Sequence, residues 1–253
     1  MIDVHAHFAE EGYTFPEEWN KILSAGVTRV ILAGDNLAHT KWNRDFCQEH
    51  AGAYFTAGVH PSVTDDFSDA TVEELRALAK NPKCVAIGEI GLDYHYEDSD
   101  KPKQRAAFEK QLALAFDTGM PVQVHSRDAC ADTLAVLRNF EKQLKNGILL
   151  HCYSYGRENM ESFLRFGAYF SFGGVACFKN AKKVWESVEA CPVEKILSET
   201  DSPYLSPFRG EKNSPANIPV IVERLASLKG LESEEIALQI KKNAEKLFPR
   251  LAK

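Results

Sequence analysis

His5 and His7 close the first apolar stretch of the chain, Met1-Ile2-Asp3-Val4-His5-Ala6-His7. Residues two apart on a β-strand point to the same side, so a strand here presents two imidazoles to one point in space. Four more residues with ligand chemistry end or follow later apolar runs: Glu89, His125, His151 and Asp201. Imidazole and carboxylate without thiolate suit a borderline divalent ion such as zinc, manganese, cobalt or nickel, and supply less oxygen than magnesium prefers. Six candidates exceed the needs of one catalytic ion, since three protein ligands plus water are typical of zinc. The set therefore points to two divalent ions, their identity open among Zn, Mn, Mg, Co and Ni. Glu89 would bridge them, with His5, His7 and Asp201 on one side and His125 and His151 on the other. Two ions ~3.5–4 Å apart clamp a hydrolytic transition state, and a coordinated water is acidified toward pKa ~7. Asp201 can take a proton from that water or orient it, which makes Asp201 and Glu89 the catalytic carboxylates of a metal-dependent hydrolase. A lone histidine beside an apolar run is usually structural, but ligand-type residues gathered at so many strand ends are not explained that way.

The elements that must position these residues follow from the hydrophobic pattern. Eight short apolar runs (2–7, 27–33, 53–59, 84–89, 121–125, 147–151, 168–171 and 195–198) alternate with amphipathic stretches. In one of these, 101–118, Phe108, Leu112, Ala115 and Phe116 recur at helical spacing. Eight βα units over 253 residues predict an α/β protein, a parallel (β/α)8 TIM barrel of the usual size, spanning 1–253 as a single domain. The C-terminal strand ends of such a barrel form one ring around one pocket, and His60, closing the third strand, joins that ring. Gly26, Pro82, Gly119, Pro121 and Gly167 punctuate the units. Segments 215–228 and 232–247 read as terminal helices, the last additional to the eightfold unit, with Ser233 as its N-cap.

No apolar run approaches the ~20 residues of a membrane span, and no basic segment precedes a hydrophobic one at the N-terminus, so a soluble, cytoplasmic protein is expected. Cys47, Cys84, Cys130, Cys152, Cys177 and Cys191 are scattered without a CxxC pair, which suits buried thiols in a reducing compartment and argues against structural zinc. A formal net charge of -6 excludes the broadly basic face that drives nonspecific duplex binding. Phosphate recognition must then be local, and a strand end threaded into a pocket fits better than a long duplex footprint.

With these residues placed, the chain resembles the TatD-type deoxyribonucleases, within the amidohydrolase superfamily of metal-dependent barrels. The resemblance runs nearly end to end, through Gly58-Val59-His60-Pro61, Gly88-Glu89-Ile90-Gly91-Leu92-Asp93-Tyr94, the helix from Gln104 to Leu114, Pro121-Val122-Gln123-Val124-His125-Ser126-Arg127, His151-Cys152-Tyr153-Ser154 and Ser198-Glu199-Thr200-Asp201-Ser202-Pro203-Tyr204-Leu205. It implies a barrel, divalent metals at His5, His7, Glu89, His125, His151 and Asp201, a substrate contact at His60, and hydrolysis of DNA from an end as a 3′-5′ exonuclease. Ala6 and Phe8 replace the family's usual Cys and Leu around the HxH, Ser62 stands where a second His often follows the Pro, and Tyr155 replaces a frequent Gly. Ser62 and Tyr155 are expected to border the rim, where Tyr155 narrows the pocket or stacks a base.

Arg209 and Asn213, in a segment similar to the family's RGxxNxP, are expected phosphate and substrate contacts, with Lys212 and the following helix N-terminus nearby. The bland alternative is a solvated loop that caps a helix. Arg127 and Tyr153 complete the expected substrate contacts, although Arg127 could instead pair with Asp128 on the surface. Tyr94, His95 and Tyr96 either stack a base or pack their loop on the barrel. Asp93 is expected to fix that loop or a ligand histidine. Lys41, Trp42 and Arg44 face outward by pattern, and His39 and His50 read as surface residues. Two rival functions share these residues: an amide or ester hydrolase, including deacylation of a nucleic acid or small molecule, and a noncatalytic scaffold. The same fold hosts many chemistries, so fold alone does not choose.

Overall fold

A computed structural model describes residues 1–9 and 17–252. Strands and helices alternate along the chain: β1 (Ile2–Ala6), α1 (Glu17–Ser24), β2 (Arg29–Leu32), α2 (Leu37–Glu49), β3 (Ala53–Ala57), α3 (Asp69–Ala79), β4 (Cys84–Asp93) and α4 (Lys101–Thr118). The second half repeats the pattern with β5 (Val122–Arg127), α5 (Cys130–Asn139), β6 (Ile148–Leu150), α6 (Arg157–Leu164), β7 (Tyr169–Phe172), α7 (Lys182–Ala190), β8 (Ile196–Ser198), α8 (Ile218–Lys229) and the extra α9 (Ser233–Leu247). Side-chain caps start several helices: Ser68 forms a capping box with Thr71 on α3, and Asp100 accepts from the Lys103 amide on α4. Gly119 and Gly230, both left-handed, end α4 and α8.

All eight strands are parallel and paired in chain order. The ring closes between β8 and β1: Ala6 bridges to Ser202, the His7 amide donates to the Ser202 carbonyl at 2.7 Å, and the Asp201 amide donates to the His5 carbonyl at 2.9 Å. Asp3 pins the same seam from inside. It accepts from the His5 and Thr200 amides at 3.1 Å and from the Thr200 hydroxyl at 2.5 Å. Apolar residues covered on both faces make the strands near-continuous hydrophobic runs, which is why they were legible as strands by length rather than by alternation.

Most element ends shift by one to three residues from expectation, and two of the differences have a clear physical reason. β4 runs on to Asp93 instead of ending at Glu89, because β5 itself continues to Arg127 and pairs Leu92 with Ser126 and Asp93 with Arg127. Glycine allows this pairing: at Gly91, φ is +147° and a Cβ would lie 1.9 Å from the His125 carbonyl oxygen. Ser233 is the first residue of α9 rather than its cap. Glu232 occupies the cap without a side-chain bond, and Glu234 and Glu235 in the first turn complement the helix dipole instead.

Candidate metal centre

Five strands deliver six side chains to the C-terminal mouth of the barrel. His5 lies in β1 and His7 just past it, Glu89 in β4, His125 in β5, His151 immediately after β6, and Asp201 three residues after β8. The structure brings all six together. His5 Nε2 and His7 Nε2 are 3.0 Å apart and lie 3.4 and 3.6 Å from Glu89 Oε2, with Asp201 Oδ1 at 3.5 and 3.4 Å. The other oxygen of Glu89, Oε1, faces His125 Nδ1 and His151 Nε2, each at 2.8 Å. Glu89 thus stands between two groups, His5-His7-Asp201 and His125-His151, and presents one oxygen to each.

The neighbours of these rings decide where their protons sit. Gln123 donates through Nε2 to the Val4 carbonyl, so its Oε1, 2.8 Å from His5 Nδ1, is an acceptor and Nδ1 carries the hydrogen. A neutral His5 then points a lone pair from Nε2 into the cluster. Asp93 Oδ2, 3.2 Å from His125 Nε2, does the same for His125, whose Nδ1 lone pair turns toward Glu89 and His151. Lone pairs and carboxylate oxygens converge with too few hydrogens between them. Protons are drawn in accordingly: burial opposes charging His5 and His125, but the adjoining carboxylates of Glu89 with Asp201 or Asp93 outweigh it, lifting His5 well above its ordinary range and His125 to about 9. Burial would raise the Glu89 and Asp201 carboxyls, yet the surrounding imidazoles hold both far below it. The Nδ1 of His151 is buried without a hydrogen-bond partner, as is Glu199 Oε1. Burial, followed by the proximity of His5, pushes His151 down to about 4. A site whose acceptors face one another at 2.8–3.6 Å fits divalent cations, and its oxygen and imidazole donors match the expected class.

His60 stands beside this cluster, with Nε2 at 3.5 Å from Glu89 Oε1. The Ser62 amide donates to His60 Nδ1 at 3.1 Å, which leaves the ring hydrogen on Nε2, aimed into the cavity. Burial first, and the neighbouring imidazoles His125, His7 and His151 after it, push His60 down to about 3 against the pull of Glu89, so it is a neutral donor. The cavity has a volume of about 630 Å³, and Asp35, Ser62, Tyr96, Arg127, Ser154 and Tyr204 are among its walls. A smaller hollow of about 300 Å³ at the opposite end, between Met1 and Lys241, contains none of these groups.

Several expected contacts are not brought to the cavity. Tyr153 is buried among Phe163, Phe170 and Phe172, and its hydroxyl donates to the Gly156 carbonyl. Its neighbours Cys152 and Ser154 line the cavity in its place, because Cys152 adopts φ +44° and turns the chain after β6 out of strand alternation. Asn213 is buried beneath the segment after β8, where Nδ2 donates to the Thr200 and Tyr204 carbonyls at 2.7 Å and Oδ1 accepts from the Ser214 amide. Arg209 is exposed and is not among the lining residues. Tyr155 does not border the rim either: its hydroxyl accepts from the Ala129 amide and pairs with Ser126 Oγ, bracing the turn after β5. Asp128 pairs with His95 rather than with Arg127. His39 and His50 are half-buried, His39 against Asp35 and His50 stacked on Phe46. Gln123 orients His5, a role that residue type alone does not mark; its place two residues before His125 on the same strand is the signal for it.

The family model for the TatD related DNases matches residues 2–249. The chain belongs to the TatD family. Among TatD relatives, the metal-dependent hydrolase YcfH of Escherichia coli is 41% identical over 255 residues, covering 98% of this chain and 95% of that protein. The 3′-5′ ssDNA/RNA exonuclease TatD of Klebsiella pneumoniae is 35% identical over 232 residues, covering 89% of this chain and 88% of its own length. The crystal structure of the TatD homologue YJJV from Escherichia coli superposes with a TM-score of 0.92 at 27% identity, covering 98% of this chain and 97% of that one. The TatD barrel thus accounts for the whole arrangement of strands and helices described above.

Proposed function

We propose that this protein is a metal-dependent exonuclease that removes nucleotides from the 3′ end of single-stranded DNA, and that residues 1–253 act as one catalytic domain. The observation that carries the reading is Glu89, whose two oxygens face two separate groups of imidazole and carboxylate within one cavity. Under this reading His5, His7 and Asp201 would hold one divalent ion and His125 and His151 a second, with Glu89 contributing to both; Zn, Mn, Co and Ni suit the donors, and Mg, which prefers more oxygen, suits them least. Bound there, such ions act as Lewis acids toward a phosphodiester and lower the pKa of water.

The chain's own residues do the rest. Asp201, its carboxyl held ionised, is the acceptor for the proton of the attacking water. His60 offers a neutral Nε2–H to a phosphoryl oxygen as negative charge grows there. Gln123 and Asp93 hold His5 and His125 in the tautomers that face inward. Arg127, on the cavity wall, supplies a guanidinium for the neighbouring phosphate. The names of the relatives at 35% identity and the local rather than global positive charge support a strand end as substrate. No helix among the described residues is long and apolar enough to cross a membrane, and all six cysteines are free, which supports work in the reducing cytoplasm.

The test is a 5′-labelled single-stranded oligonucleotide incubated with manganese- or magnesium-loaded protein. Stepwise shortening from the 3′ end is expected, and Asp201→Ala should abolish it. Shortening that survives Asp201→Ala overturns the mechanism, and faster turnover of amide or ester substrates than of DNA overturns the substrate class.

A further inference from the structure

We propose that Tyr96 and Tyr204 are stacking platforms for the two nucleobases that flank the scissile phosphodiester, so that this site takes a strand whose terminal nucleotides are unpaired and splayed apart. The inference rests on the nuclease reading above and deepens it.

Position in the ring comes first. Tyr96 follows β4 and Tyr204 follows β8, and in an eight-stranded ring paired in chain order these strands lie half-way round from one another. Both tyrosines line the same cavity, from opposite walls, with the Glu89 cluster between them. Tyr96 is 58% and Tyr204 50% exposed, and each contributes to the wall of the cavity. The aromatic neighbours of Tyr96 in sequence are committed elsewhere. The Tyr94 hydroxyl donates to Asp132 at 2.9 Å with Lys101 Nζ 4.6 Å over its ring, and His95 pairs with Asp128.

Each ring also has the right polar companion. The Arg127 guanidinium lies over one face of the Tyr96 ring, 5.9 Å from its centre, so a base on the opposite face has a cation for phosphate close by. Tyr204 meets His7 edge-on at 6.3 Å between ring centres, so a base on its face adjoins the cluster directly. A phosphodiester held at Glu89 carries one nucleoside on either side. Bases turned to opposite walls can neither stack on each other nor pair with a complementary strand, so a duplex end must first fray. Stacking accepts any base, which suits an enzyme that digests without regard to sequence.

The experiment compares steady-state kinetics on single-stranded hexathymidylate with the same oligomer carrying abasic residues on both sides of its terminal linkage. Tyr96→Ala and Tyr204→Ala should each raise KM on the intact oligomer by roughly 5- to 100-fold and leave kcat within about threefold. Tyr96→Phe and Tyr204→Phe should restore the wild-type KM, since the ring and not the hydroxyl is used. On the abasic oligomer, wild type and alanine variants should share one KM. Alanine variants within twofold of wild type, or an equal loss on both oligomers, overturn the proposal. Anisotropy of fluorescein-labelled hexathymidylate keeps the two readings apart. Binding that the alanine variants weaken, without any cleavage by wild type, overturns the nuclease reading while supporting the platforms, and absence of binding overturns both.

Discussion

His60 shows how a single backbone hydrogen bond assigns a chemical role. An imidazole beside a metal site is either a ligand or a donor, and the difference is one hydrogen. The Ser62 amide, fixed at the start of a 3-10 turn, occupies Nδ1 and leaves the hydrogen on Nε2. Ser62 Oγ lies 2.7 Å from the same nitrogen and reinforces the tautomer. His60→Ala is expected to lower kcat on single-stranded DNA by about 10²–10³-fold, the usual effect of losing one donor to a developing charge, with metal content per chain unchanged by elemental analysis. Ser62→Ala, which keeps the backbone N–H, should cost less than tenfold. A fall in metal content in His60→Ala would make the residue a ligand and overturn the donor role.

The segment between β8 and α8 carries Asp201 and Tyr204, and it is a strap rather than a solvated loop. Asp201 and Leu205 sit at φ +56° and +53°, conformations that L residues adopt only when their surroundings impose them. Asn213 imposes them: from beneath, it ties Thr200 and Tyr204 together through one amide group, and the Asn213 amide donates to the Pro203 carbonyl at 3.0 Å. Asn213→Ala removes the partner of one buried and one part-buried carbonyl and is expected to lower stability by about 1–3 kcal/mol in urea titration. Activity should fall with it, mainly through a higher KM, because the truncation releases the wall of the cavity and leaves His5, His7 and Glu89 in place. An unchanged urea midpoint would return Asn213 to the surface role of a phosphate contact.

At the level of the entire barrel, six thiols report on packing. Burial pushes the Cys84 and Cys191 thiols up to about 12 and that of Cys47 higher still. The unfolded chain loses these protons near pH 9 while the folded barrel keeps them, so the native state binds more protons between about 9 and 12. Their contribution is therefore complete below pH 9 and declines as pH rises through 12. Native protein at pH 8 should react with a thiol reagent at no more than three sites, Cys130, Cys152 and Cys177, and at all six in denaturant. Rapid labelling of Cys84 in the native state would mean that β4 is not packed inside the barrel as described.

Much of this molecule could be read from the chain alone. Period and run length are local properties, so the eight strands, their alternation with helices and the ligand types at their ends were legible, and closing a parallel ring necessarily gathers those ends. Which neighbour a side chain meets is not local. Cys152 leaves strand geometry, so Tyr153 turned into the core and Ser154 to the cavity against simple alternation. Asn213 and Tyr155 read equally well as rim residues until the path of their segments placed acceptors and donors around them. Gln123 acquired its role only through the packing of β5 against β1 across the barrel, 118 residues from His5. Chain-local periodicity dictated the elements and their order; strand register, left-handed turns and contacts across the ring determined which polar groups join the Glu89 cluster and which hold the walls.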